Sequence, residues 1–240
     1  GGSPMRWGVV VFPGSNCDRD CLHVLRSVLG QTVEEVWHED RTVAGLDVLV
    51  LPGGFSYGDY LRAGAIAATS PVMAAVREFA AAGAPVLGIC NGFQILTEAR
   101  LLPGTLVRNA GLRFRCRPTW VRVESSATPF TAGIPQGTVL QMPMAHAEGG
   151  YRASPSDLTE LQAAHRVVFR YCDAHGRLTP EANPNGSIDG IAGVASAAGN
   201  VVGLMPHPER ASEALLGSAD GRKIFESVIA SVATRMVPVL

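Results

Sequence analysis

Short runs of apolar residues, each stopped by glycine or proline, recur along the first half of the chain. Residues 7–12 (Trp-Gly-Val-Val-Val-Phe) are β-branched and aromatic and end at Pro13-Gly14, the pattern of a buried strand. Residues 32–37, 46–51 and 85–89 repeat it, and the run 46–51 closes on Pro52-Gly53-Gly54. Between these runs the apolar positions change to helical spacing. Cys21, Leu22, Leu25, Val28 and Leu29 fall on one face of a helix over residues 17–29 that Gly30 ends. An alanine-rich stretch predicts a second helix over about 70–82, with Ser70 as N-cap and Pro71 at its first position. A third covers 91–99. Fully apolar strands alternating with helices predict a parallel sheet covered on both faces.

The second half reads differently. Residues 106–124 and 139–147 look like strands with turns between them, more antiparallel in character, and 189–194 and 201–205 are again short apolar strands. Residues 218–235 predict a final amphipathic helix. No internal repeat, low-complexity tract or long linker interrupts the chain. The fold class expected is α/β: an open, mostly parallel sheet with helices on both faces and additional antiparallel strands in the second half. The domain expected spans residues 5–240, with residues 1–4 (Gly-Gly-Ser-Pro) read as an expression remnant ahead of a native start at Met5.

Composition narrows the function classes. The chain is 47% apolar and 17% charged with a formal net charge of -1, which supplies a core and gives no sign of a nucleic-acid or anionic-membrane partner. No stretch approaches the roughly 18 continuous apolar residues of a membrane span, so a soluble, cytoplasmic protein is expected. Five cysteines, an odd number in a chain of this size with no secretion signal, argue against a disulfide framework. Cys17 and Cys21 lie four apart. With no nearby His or Cys pair to complete a site they read as buried helix cysteines, and no metal is expected.

Three motifs carry the chemistry. Gly88-Ile-Cys90-Asn-Gly92 places a glycine-flanked cysteine between a predicted strand and a predicted helix. A sharp turn there would hold the sulfur out at the sheet's carboxyl end, at a helix N-terminus whose dipole favours thiolate and whose free N–H groups can stabilise an oxyanion. The bland alternative is a structural cysteine at a strand end. Among six histidines, His207 stands out: it follows a short strand, has Pro206 and Pro208 on either side, and Glu209 two residues on can accept from its ring. Alone, Pro-His-Pro could be a simple turn. The third motif, Leu51-Pro-Gly53-Gly54-Phe-Ser-Tyr-Gly-Asp59, also follows a strand and could present N–H groups to an oxyanion, or be only a tight turn. All three sit where open α/β sheets bind ligands, outside the carboxyl ends of the strands.

Gly88-Ile-Cys-Asn-Gly-Phe-Gln94 together with Pro206-His-Pro-Glu209 resembles the class I (triad) glutamine amidotransferases. Phe12-Pro-Gly-Ser-Asn-Cys-Asp18, the loop from Gly53 to Arg62, Asn183-Pro-Asn-Gly-Ser187 and Met205-Pro-His-Pro-Glu-Arg-Ala211 are similar to the branch of that family serving purine biosynthesis. The resemblance implies Cys90 as nucleophile, His207 as general base and acid, and Glu209 as orienting carboxylate. It implies that Gln94 and the Gly53-Gly54 loop line a glutamine pocket, with oxyanion donors from that loop and from Asn91. It implies no cofactor in this chain. It also implies a large synthase subunit, with ATP and Mg2+, that uses the ammonia to convert formylglycinamide ribonucleotide to its amidine, and a small accessory subunit in the same complex. Nothing in the chain reads as an ATP site of its own: there is no Gly-x-x-x-x-Gly-Lys-Ser/Thr loop. One departure stands out. The family's His-Gly-Glu-Gly appears here as His146-Ala147-Glu148-Gly149, leaving His146 and Glu148 as either site residues or loop residues at a partner interface. Alternatives on the same scaffold are an amidotransferase for another acceptor or a γ-glutamyl peptidase. A non-enzymatic scaffold would have no need of Cys90, His207 and Glu209 together.

Overall fold

The computed structural model describes residues 5–59 and 61–235; the tetrapeptide read as a remnant, and Tyr60 of the glycine loop, lie outside the described residues. Strands β1 (Arg6–Val11), β2 (Thr32–Trp37), β3 (Val48–Leu51) and β4 (Val86–Ile89) come from the first half, as the apolar runs predict. They are joined by α1 (Asp18–His23, continuing as a π-helical turn over Val24–Val28) and α2 (Val72–Ala81), and α3 (Asn91–Glu98) follows β4. The second half supplies β5 (Thr105–Val107), β6 (Arg115–Val123), β7 (Val139–His146), β8 (Gly150–Arg152), α4 (Pro155–Ala163), β9 (Val167–Cys172), β10 (Ile191–Ala195), β11 (Val201–Leu204) and α5 (Arg222–Arg235).

Nine strands form one sheet in the order β2-β1-β3-β4-β11-β10-β9-β6-β7. The first five run parallel and the remaining pairings are antiparallel, so the sheet changes character at β11. The burial follows from position: β3, β4 and β11 are buried at every residue, whereas the edge strand β2 buries only Val33 and Val36. Trp7, Val9, Leu49, Val50, Leu87, Phe93, Val202 and Phe225 belong to one continuous core that spans the sheet and its helices. The parallel pairing that matters most is β4 with β11, where Gly88 faces Gly203 and Ile89 faces Leu204. The chain segments leaving these two strands therefore emerge side by side.

Three differences from the sequence pattern have physical causes. The stretch 106–124 divides between two sheets, which the pattern did not show: β5 leaves to pair with β8 in a separate two-stranded sheet, and Leu112, in between, takes a left-handed φ of 49°. Ser70 does not cap α2; its Oγ lies 3.2 Å from the Tyr57 hydroxyl, and the helix starts one residue after Pro71. The stretch 148–172 holds β8, α4 and β9, none of which the pattern called. Ser154 caps α4 by accepting from the Asp157 amide at 3.1 Å, with Pro155 at its first position. The Ser154-Pro155 pair of that cap is legible in the sequence.

Candidate active site

Cys90 stands between β4 and α3 with φ 51° and ψ -106°, a left-handed conformation costly for a residue with a side chain and characteristic of strained functional turns. The flanking glycines are there for space. A Cβ on Gly92 would collide with the Leu51 carbonyl of β3, and one on Gly88 would lie 2.8 Å from the Gly92 backbone. Gly203 lets Phe93 of α3 lie against β11, where any side chain would meet the ring. The elbow is thus packed down onto two neighbouring strands. The Cys90 thiol is buried at the start of α3 and lies 3.6 Å from the Ala145 carbonyl, to which it donates.

His207 lies three residues beyond β11, held by its own amide donating to Pro143 O at 2.8 Å. The side chains of His207 and Glu209 are both buried, and Nδ1 is 2.6 Å from Glu209 Oε1. That hydrogen bond fixes the ring and leaves Nε2 facing away, buried and without a partner among the described residues. Burial alone would push the imidazole pKa down, but the Glu209 charge and the Cys90 and Cys17 thiols beside the ring outweigh it, so His207 holds its proton well above the ordinary histidine range. A buried, carboxylate-backed imidazole beside a strained cysteine can deprotonate a thiol and return the proton to a leaving group.

The predicted pocket residues fall into two layers. Gly54 and Gln94 line a cavity with Cys90, Phe55, Asp59, Ala145, His146, Ala147 and Glu148. Gly53 and Asn91 sit behind it. A Cβ on Gly53 would lie 2.7 Å from His207 Cε1 and 3.3 Å from Cys17 Sγ, so this glycine makes room for the histidine. Asn91, 1% exposed, accepts from the Ser56 amide at 3.1 Å and donates to Gln94 Oε1 at 2.8 Å, tying the glycine loop to α3. Gln94 in turn donates to Glu148 O at 2.6 Å. The turn after β1 braces the loop from outside: Phe55 N–H donates to Gly14 O at 3.1 Å and Tyr57 N–H to Pro13 O at 2.6 Å. This is the structural use of the Phe12–Asp18 motif.

Opposite Cys90, the His146–Gly149 segment is held by buried amides. Asn109 Nδ2 donates to the carbonyls of His146 and Arg113, each at 2.9 Å, while its Oδ1 accepts from the Gly149 amide at 3.1 Å. Those partners fix which end of the Asn109 amide is oxygen. His146 Nδ1, 3.1 Å from the same Oδ1, must therefore carry the proton, and Nε2 is a bare lone pair. Burial, with His207 nearby, lowers the His146 pKa to about 4, so the ring is neutral near pH 7. Gly149 is required: a Cβ there would run into the His146 ring. Ala147 has no positive φ, so its backbone angles do not call for the family's glycine. Asn185 and Ser187 prop the segment through Asn185 Nδ2 to Gly149 O at 2.8 Å and the Tyr151 amide to Ser187 Oγ at 3.0 Å.

The sequence pattern missed two site residues. Asp59 sits in the glycine loop, and its place in the cavity could be suspected only from the motif. Cys17, read as a helix-face cysteine, instead starts α1 and lies beside His207 and Glu209, its sulfur accepting from Arg210 Nη2 at 3.2 Å. The ligand atoms of Cys17, His207 and Glu209 all lie within 4.8 Å of one another, but they are already engaged with each other and with the Arg210 cation. Nothing local in the sequence marks that convergence, because it is made by segments some 190 residues apart.

Residues 5–228 match the model of the CobB/CobQ-like glutamine amidotransferase domain. The chain belongs to the glutamine amidotransferase family, in its PurQ branch. It is 56% identical over 225 residues to the phosphoribosylformylglycinamidine synthase subunit PurQ of Moorella thermoacetica, covering 94% of this chain and 95% of that one. It is 57% identical to the PurQ subunit of Methanosarcina acetivorans, covering 93% and 97%. Among solved structures, PurLQS from Thermotoga maritima contains a chain that superposes with a TM-score of 0.85 at 41% identity, over 95% of this chain and 99% of that one. Amidotransferase membership matches the motifs at Cys90 and His207, and the PurQ relatives match the purine-branch signatures.

Proposed function

We propose that this chain is the glutaminase subunit of a phosphoribosylformylglycinamidine synthase, acting through Cys90, His207 and Glu209. The observation that carries the residue assignment is the strained Cys90 at the start of α3 beside a buried His207–Glu209 pair with a 2.6 Å hydrogen bond. Sulfur attacks the carboxamide carbon of glutamine, forming a C–S bond and placing the charge on oxygen. In this reading backbone N–H groups of the Gly53-Gly54 loop and of Asn91 stabilise that oxyanion, each contributing about 3 kcal/mol by analogy with measured oxyanion donors. Protonated His207 gives its proton to the departing nitrogen, which leaves as ammonia. Water, activated by the same imidazole, then hydrolyses the thioester to glutamate. Glu209 holds the ring in the tautomer that leaves Nε2 for the sulfur.

In this reading the ammonia passes to a large synthase subunit that uses ATP and Mg2+ to convert formylglycinamide ribonucleotide to the amidine, with a small accessory subunit in the complex, as the PurLQS likeness supports. No cofactor is assigned to this chain. Cytoplasmic localisation is part of the proposal; among the described residues no helix is long and apolar enough to cross a membrane. The test is Cys90→Ala assembled with the synthase. Glutamine-dependent amidine formation is expected to vanish while ammonia-dependent formation persists. Equal loss of both would refute the division of labour, and unaided turnover of γ-glutamyl peptides by the wild-type chain would favour a peptidase.

A further inference from the structure

The cavity beside Cys90 is walled by hydrogen-bond acceptors. Asp59 and Glu148 both line it, as does the buried His146, whose Nε2 lone pair has no partner among the described residues. The Ala145 carbonyl adds a fourth. Glu148 has one ion pair among the described residues, with the largely exposed Arg108, whose Nε lies 3.9 Å from Glu148 Oε1, a separation and exposure at which an ion pair contributes little. Among the described residues Asp59 is hydrogen-bonded only by Asn91 Nδ2, at 3.4 Å, and Glu148 Oε2 only by the Ala63 amide, also at 3.4 Å. Both contacts are at the long limit of hydrogen bonding. Burial, and then the Glu148 charge, raises the Asp59 pKa to about 6, so Asp59 ionises less readily than an ordinary carboxyl group when nothing lies between it and Glu148.

The loop carrying Asp59 is held in an unfavourable shape for this arrangement: Tyr57, Asp59 and Leu61 all have left-handed φ, between 53° and 68°. A ligand suited to these walls must be rich in N–H donors, positively charged at one end and reachable by the sulfur at the other. Resting on the glutaminase reading, we propose that Asp59 and Glu148 seat the α-ammonium group of glutamine, while His146 Nε2 accepts an N–H of the carboxamide next to Cys90. An acceptor-only imidazole also disfavours the product, because glutamate brings carboxylate lone pairs where glutamine brings an NH2.

The test compares two chloroketones with the carbon skeleton of glutamine, one bearing the α-amino group and one lacking it, on the full chain. In each, the Cys90 thiolate displaces chloride, a C–S thioether bond forms and chloride leaves; no oxidant or reductant is involved. Peptide mass mapping gives the rate of labelling at Cys90. Wild type is expected to react at least about tenfold faster with the amino form, the effect of a charged hydrogen-bonded seat. In the double variant Asp59→Asn, Glu148→Gln the ratio is expected to fall to near one. The deaminated probe shows that Cys90 is still reachable in the variant; should it fail to react there, Glu148→Gln alone is read, with a several-fold drop in the ratio expected. An undiminished ratio in a variant that labels would overturn the inference and leave the glutaminase reading standing. Absence of Cys90 labelling by either probe in wild type would overturn both.

Discussion

The two walls of the cavity are built on opposite principles. On one side, Cys90 and His207 leave adjacent parallel strands, β4 and β11, paired in register and buried at every position. On the other, the Gly54–Asp59 loop and the Ala147–Gly149 turn that follows β7 are held by side-chain amides and, in the loop, by residues with left-handed φ. In the proposed reaction the first wall carries bond-making, which needs fixed geometry. The second is proposed to contact the rest of the ligand and is tied together by buried amides that each hold several partners. Placing the reacting atoms on the sheet and the recognition on loops accords with how scaffolded sites divide precision from adaptability.

Breaking the reacting wall should have the larger effect. His207→Ala removes the base and is expected to lower single-turnover glutaminase rates by about 10⁴-fold, the upper range for acid–base catalysis. Gly92→Ala attacks the same wall through packing. Its Cβ would collide with the Leu51 carbonyl, so β3 and α3 must separate. A loss of about 3 kcal/mol, roughly 10 °C in Tm, is expected by calorimetry, with Cys90 labelling lost alongside. Glu209→Gln keeps the shape and removes the charge. It should cost roughly 70-fold less than loss of the base, the ratio between orienting acid and base in a serine triad, which leaves a loss of about 10²-fold here. Equal losses for His207 and Glu209 would mean that the carboxylate does more than orient.

How legible each wall was in the sequence follows the same division. Strands β1, β3, β4 and β11 are buried on both faces, so the hydrophobic pattern had to be continuous there, and the glycines around Cys90 mark close approaches that no other residue permits. The sequence therefore exposed the strained cysteine turn, its helix and the Pro-His-Pro segment that the proposal makes nucleophile and base. The facing wall is defined by long-range side-chain contacts, such as Asn109 with His146 and Gly149, or Asn91 with Ser56. No period or spacing encodes those pairs. Cys17 shows the same limit: its spacing from Cys21 gives a helix face, whereas its place beside His207 arises from the packing of α1 against the segment after β11.

Smaller perturbations sharpen the description of the recognition wall. Because the Asp59 pKa is raised to about 6, with Glu148 facing it and Arg108 at the rim, Asp59 picks up its proton at a higher pH than an ordinary carboxyl group does. The charged form seats the ammonium, so kcat/KM for glutamine should fall as pH drops through about 6, mainly through KM. Asp59→Asn should abolish that limb and leave a uniformly weaker KM. An acid limb unchanged in Asp59→Asn would assign it to another group.

Asn109→Asp probes the least forceful element, the tautomer lock. The aspartate can still accept from the Gly149 amide and from His146 Nδ1–H, but it loses the donors to the His146 and Arg113 carbonyls. Its new charge lies against the imidazole and favours the protonated form, so the His146 pKa should rise from about 4 toward the ordinary histidine range. Once protonated, Nε2 becomes a donor and can no longer accept from the carboxamide. A several-fold rise in KM, growing as pH falls from 8 to 6, is therefore expected, with little change in kcat because Cys90 and His207 stand on the other wall. The imidazole titration followed by proton NMR should move with the KM profile. If the titration moves and KM does not, His146 shapes the cavity without contacting glutamine, and the recognition wall reduces to its two carboxylates.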